Sequence, residues 1–323
     1  MTMQFAIVGI AAGAAAALLF ASVTSGVWLS IPLFYLAPLP IMIAGLGWGH
    51  WAALIAAVVG SLSVAIIFGS VFALAFITST GVPAWWLGYL AMLARPAAGS
   101  PGKIPGGSEL EWYPAGHLVI WAAVLAAIVV IAAIPNFGLD TDSFRAGLRN
   151  ALSAILQVDA HSTPATSLTT DRLIEFLIGA IPPAAAVLAT ITNLLNLWMA
   201  GRIVQFSGRL ARPWPAISDM VFPTSLTFAL AAAVALSFLD GMIGIIGGII
   251  SASLLLAYGV LGFAVLHQIT LGMSMRGLII GFVYGAVLVL GWPILALCLL
   301  GVVESGFGLR ARIARHGGKN LRE

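Results

Sequence analysis

Thr190, Asn193 and Asn196 are spaced by three, which places them on one face of a helix inside an otherwise apolar run. A polar side chain in such a run needs a partner. Two uses are open. The face could line a cavity for a small molecule, or it could hydrogen-bond neighbouring helices, a contact of about 0.6 kcal/mol in a bilayer. Glu175 lies in the same run. An ionisable group at membrane depth is a candidate for contacting a substrate or moving a proton. Arg172 stands three residues earlier, however, and predicts a local ion pair near the surface.

Other chemistry finds little footing. The only lysines are Lys103, before Ile104, and Lys319, before Asn320, so no glycine-rich turn ends in Lys-Ser or Lys-Thr and the chain has no P-loop. ATP-driven work would need a separate ATPase subunit. His50, His117, His161, His267 and His316 lack zinc-ligand spacing, and Cys298 is the only cysteine. There is no Gly-x-Ser-x-Gly elbow. Asp219 and Asp240 bracket one segment instead of facing each other across two. These features point away from an enzyme, and no metal or cofactor is expected.

The elements that must carry these residues are membrane helices. Of the 323 residues 61% are hydrophobic and 8% charged, against about 25% charged in a soluble domain. That excludes a soluble enzyme and a disordered chain, and it supplies enough apolar residues for about eight to ten spans of about 20. The expected fold is an all-α, polytopic transmembrane bundle forming one membrane domain. Its segments run 4–23, 28–47, 50–70, 71–94, 116–135, 172–201, 220–238, 242–266, 276–291 and 293–308. The first lacks the positive start of a secretory signal and is expected to be retained. Pro32, Pro38 and Pro40 interrupt the second, Gly81-Val82-Pro83 the fourth, and Pro182-Pro183 the sixth. Broken helices should face protein or a cavity, where the freed backbone groups find partners.

Basic residues set the direction. The tail with Arg310, Arg312, Arg315, Lys319 and Arg322, the loop with Arg202, Arg209 and Arg212, and the loop with Arg95 and Lys103 should all be cytoplasmic. Both termini then lie inside if 276–308 is a hairpin turning at Trp292-Pro293; a single helix there would put the tail and the 202–212 loop on opposite sides. Residues 96–115 read as a flexible loop and 309–323 as a basic tail. On the outer side, in 136–171, Phe144, Leu148, Leu152 and Ile155 form a helical stripe with Arg145, Arg149 and Asn150 off it. Thr141 or Asp142 could cap this helix. It would lie on the membrane surface or over the mouth of the bundle. The net charge is +3, and no basic stripe is interleaved with exposed aromatics, so nucleic acid is not an expected partner. The lipid bilayer is.

Several ordered stretches carry a resemblance. They are Ala37-Pro38-Leu39-Pro40 with Gly45, Gly47 and Gly49; Val82-Pro83 with Trp86-Leu87-Gly88 and Arg95; Glu111-Trp112-Tyr113-Pro114; the run from Asn196 to Val204 continuing through Ser207 to Pro215; and Gly262 to His267. Together they resemble the YybS-like predicted membrane proteins of bacteria, in the alphaproteobacterial form, over nearly the whole chain. The resemblance implies a bacterial inner-membrane protein. It also implies a fold distantly similar to the S components of energy-coupling-factor transporters, which capture small molecules. The acid that tends to precede the family's terminal arginine is missing from Phe307-Gly308-Leu309-Arg310.

Small residues mark helix-packing faces: Gly9 with Gly13, Gly277 with Gly281 and Gly285, and Gly241 with Gly244 and Gly248. In S components a small-residue face near the first helix docks the coupling subunit, a part Gly9, Gly13 and Ala16 could play here if they do not pack within the chain. Two functions follow. One is a transport-type protein that binds a small molecule from the outer side. The other is a scaffold or assembly subunit that docks a membrane or ATPase partner.

Overall fold

The computed structural model describes residues 2–96, 110–155 and 164–310. The loop around Lys103, His161 and the tail from Arg312 to Arg322 lie outside the described residues. The described helices are α1 (Thr2–Ala21), α2 (Ser30–Tyr35), α3 (Pro38–Trp48), α4 (His50–Phe68), α5 (Ser70–Phe76) and α6 (Val82–Ala91). They continue with α7 (Ala115–Ala133), α8 (Thr141–Ile155), α9 (Pro164–Phe206), α10 (Ser225–Ser237), α11 (Gly241–Ile269), α12 (Arg276–Leu290) and α13 (Pro293–Phe307). The fold is an all-α bundle.

Among the described residues, seven stretches are long and apolar enough to cross a membrane: Met3–Ser25, Ser30–Trp48, His50–Phe68, Ser70–Ala91, Ala115–Asn136, Asp171–Phe206 and Gly241–Ile269. Helices α10, α12 and α13 are apolar but shorter. Large apolar side chains such as Ile66, Phe206 and Leu288 are more than four-fifths exposed, a surface that water would not tolerate and lipid does. The chain is a multi-pass membrane protein.

It divides into two compact units. The first comprises Met1–Ala122 and Ile191–Met220. Here α1 lies along α4 at backbone distance. A Cβ on Gly9 would sit 2.8 Å from Ile55 Cβ, and one on Gly13 would sit 2.5 Å from Ala56 O. That glycine face is therefore used inside the unit. Gly49, at φ +97°, makes the turn from α3 to α4 in a conformation L side chains rarely adopt. The second expected segment does break, between Tyr35 and Pro38. The fourth does not. The backbone passes Gly81 through a π-helical stretch, Ile77–Gly81, and continues into α6 with Pro83 in its first turn, where the fixed φ of proline suits a helix. The expected loop at 96–115 begins and ends in a two-stranded antiparallel ladder, Ala94–Pro96 with Leu110–Trp112. Arg95 pairs there with Glu111 at 2.8 Å. The guanidinium holds the Glu111 carboxyl below its usual range.

The second unit comprises Ala123–Thr190 and Val221–Glu323. Phe144, Leu148 and Leu152 of α8 are buried against Ile174, Ile178 and Ala186 of α9 and Ile249 of α11. Ile155 departs from the expected stripe and is exposed. The cap of α8 is Asp140, not Thr141 or Asp142. Its Oδ1 accepts the N–H groups of Asp142 (3.1 Å) and Ser143 (2.9 Å), and Ser143 Oγ donates to Oδ2 at 2.6 Å. These bonds favour the charged form and lower the Asp140 carboxyl. Proline 182 and proline 183 do not end α9. It runs through them from Pro164 to Phe206, as membrane helices can where neighbours cover the defect. The stretch 276–308 is two helices parted by Gly291 and Trp292, with Gly291 at φ +73°.

Candidate functional site

The polar face of α9 is buried: Thr190 and Asn196 are 1% exposed or less and Asn193 4%. Thr190 Oγ1 donates back to Ala186 O at 2.7 Å. Asn193 Nδ2 donates to Ala122 O of α7 at 3.3 Å. Asn196 Nδ2 donates to Tyr35 O and Thr192 O, both at 2.8 Å. The Tyr35 bond has a reason in the backbone. Tyr35 ends α2, Pro38 has no N–H to offer, and Leu39 N donates to Leu36 O instead. The carbonyl is left over by the helix break, and Asn196 supplies the missing donor. Asn196 Oδ1 is buried and accepts no hydrogen bond among the described residues. Asn196→Leu should therefore destabilise the protein by about 1–3 kcal/mol through the orphaned Tyr35 carbonyl. Equilibrium unfolding in mixed micelles checks it, and a change near zero would show that the carbonyl finds another donor.

Glu175 sits in a different setting. Its partners come from α8, not from Arg172: Arg149 Nη2 donates to Glu175 Oε2 at 2.7 Å, and Arg145 Nη1 lies 4.0 Å from Oε1. Arg149 also reaches Asp171 at 3.4 Å. Burying the Phe144–Leu148–Leu152 stripe against α9 turns the arginines one residue on from Phe144 and Leu148 towards the carboxylates. All four groups are at least two-fifths exposed.

A cavity of about 330 Å³ opens beside them. Its walls include Arg145, Glu175, Ser237 and Asp240, and also Ile178, Gly179, Pro182 and Pro183. Each proline lacks the N–H that the carbonyl four residues earlier would take in an α-helix, and those carbonyls belong to Ile178 and Gly179. The cavity thus combines both signs of charge with backbone acceptors that the helix cannot use.

Other polar groups were not legible as a set. In the second unit Thr227 Oγ1 donates to Ser305 Oγ at 3.2 Å and lies 3.0 Å from the Tyr258 hydroxyl. Glu304 accepts from Arg310 Nε at 2.7 Å and Arg310 N at 3.0 Å. Glu304 stands six residues before Arg310, one helical turn and a bend away, and not in the position directly before it. His267 Nδ1 lies 2.9 Å from Phe263 O, and His50 packs against Trp51 and Tyr89. No group of three metal-ligating side chains occurs among the described residues.

Of the glycine faces, Gly277, Gly281 and Gly285 have open space where a Cβ would be, and α12 buries no residue. No protein-family model, curated protein or solved structure matches the chain.

Proposed function

We propose that this multi-pass membrane protein is a transport-type protein that binds a small polar molecule in the cavity beside Pro182-Pro183. One observation carries the reading: in a chain with so few charges, Arg145, Glu175 and Asp240 meet at the one stretch of α9 whose backbone is short of donors. Non-ideal membrane helices are where transporters place binding sites, because the released carbonyls face a cavity and not lipid. About 330 Å³ is at the small end of ligand pockets. Counting basic loops puts α8 on the outer side, so the molecule enters from there, with α8 as its cover. The resemblance of the sequence to the YybS-like family, whose fold is distantly similar to S components, supports the same reading, and a separate ATPase subunit is the partner it would call for.

Glu175→Gln tests it. The ion pair it removes is exposed and worth about 0.2–1 kcal/mol, so the fold should survive. Native mass spectrometry of protein extracted gently from its own membrane should show a small-molecule adduct on the parent chain and its loss from the variant. A bare parent chain, or equal occupancy of both, would sink the reading.

A second reading is assembly. The open glycine row of α12 favours it, since spacing-four glycines admit another membrane helix at close range.

A further inference from the structure

Three arginines crowd the end of α9 and the loop after it. Two are stacked: Arg202 lies 4.4 Å from the Trp214 ring centre, and Arg209 lies 4.6 Å from that of Trp48. Arg212 is different. It is 9% exposed, and its one hydrogen bond among the described residues runs from Nη1 to Ala91 O at 3.0 Å. A guanidinium carries five N–H donors. No carboxylate pairs with Arg212 among the described residues, and burial lowers its pKa. A buried, unneutralised cation is costly to keep.

The space beside it is of the opposite character. Among the described residues Arg212 is the single charged one on the wall of a cavity of about 170 Å³. Leu46, Leu118, Val119, Leu194, Leu197 and Met220 make up much of the rest. The space is open on one side, and its volume suits a hydrocarbon segment of about benzene size, so a longer chain would start here and continue into the bilayer. The whole cavity belongs to the first unit. Arg212 lies past Phe206, where the membrane-crossing stretch of α9 ends, while Leu194 and Leu197 lie within that stretch. Cation and apolar space are thus arranged as head and chain are in a lipid.

We propose that this cavity binds an anionic amphiphile, with its oxyanion head on Arg212 and the first carbons of its hydrocarbon chain among the leucines of α7 and α9. A lipid phosphate and a fatty carboxylate share this chemistry. A free anion does not, because the apolar walls give it nothing. This site is independent of the polar cavity proposed for transport, which is lined by residues of the other unit.

The test uses the full chain in phosphatidylcholine nanodiscs, with four additives offered separately: phosphatidylglycerol, dodecanoate, dodecanol and inorganic phosphate. Native mass spectrometry reads what is retained. The parent chain should retain phosphatidylglycerol, dodecanoate or both at least about tenfold over phosphatidylcholine and dodecanol, the preference one charge-assisted pair can supply. Which of the two is retained names the source. Arg212→Gln should abolish the preference, and Arg209→Gln should keep it. Val119→Phe fills the cavity while leaving the guanidinium, and should also abolish retention, so the outcome does not hang on the folding of one variant. Retention of inorganic phosphate equal to that of dodecanoate and phosphatidylglycerol would overturn the proposal. So would retention by Arg212→Gln as strong as by the parent chain.

Discussion

Glu304→Ala is expected to lower the free energy of unfolding by about 3–5 kcal/mol, the cost of breaking a buried ion pair from one side. The pair is nine-tenths buried, at 9% and 12% side-chain exposure. Its geometry follows from the end of α13. Gly308 closes that helix in the left-handed conformation and donates its N–H to Glu304 O at 2.8 Å. The chain then turns back, and Arg310 offers both its backbone N–H and its Nε–H to the two carboxylate oxygens. A carboxylate in the last turn of a helix opposes the helix dipole, so Glu304 depends on Arg310 for its tolerance there. Arg310→Ala should be costly for that reason. The double variant should lose clearly less than the two single losses added, because neither charge is then left behind. Unfolding of all four chains in mixed micelles gives the cycle. Additive losses would show that the two groups are held separately.

What the sequence made legible were the features that depend on neighbours along the chain. Hydropathy marks the apolar helices. The spacing of Phe144, Leu148 and Leu152 marks the buried face of α8, and the triplet spacing of Thr190, Asn193 and Asn196 marks a polar face. What those faces touch depends on residues far away. Asn196 bonds a carbonyl 161 residues earlier, and Arg212 one 121 residues earlier. Arg212 counts, in a sequence, as one more positive charge in a basic loop; only its contact with Ala91 makes it a buried one. The pairing of Glu175 failed for the same reason. Arg172 is its neighbour in sequence, but packing of α8 brings in Arg149, 26 residues away. Asp140 was readable. An aspartate directly before the first helical turn, with Ser143 three residues on, is a capping pattern in plain view. Pro182-Pro183 misled because proline ends helices in water, whereas a membrane helix gains little by fraying where no solvent can take over its backbone bonds.

Glycines show the limit most sharply, and they carry the second large effect. Gly301→Ala should cost about 3 kcal/mol, the upper range for forcing a methyl into a packed interface. The new Cβ would overlap Tyr258 O and sit 3.1 Å from Gly262 N. Both are backbone atoms of α11, so no side-chain rotation relieves the clash. Nor can α11 and α13 simply part. Gly262 meets Leu297 O from the other direction, Cys298 Sγ donates to Leu255 O at 3.0 Å, and Thr227 links Tyr258 to Ser305. Gly281→Ala has the same spacing pattern around it and the opposite expectation, a change within about 0.5 kcal/mol, because among the described residues nothing stands within 4 Å of its Cβ. Thermal or denaturant unfolding of the two variants side by side separates them. Equal losses would mean that Gly281 is packed within the folded chain and would overturn the open face of α12. Gly281→Ile then decides between lipid and partner: if α12 docks another helix, the bulky side chain should dissolve an oligomer or complex seen by crosslinking, while leaving the unfolding of the chain itself unchanged.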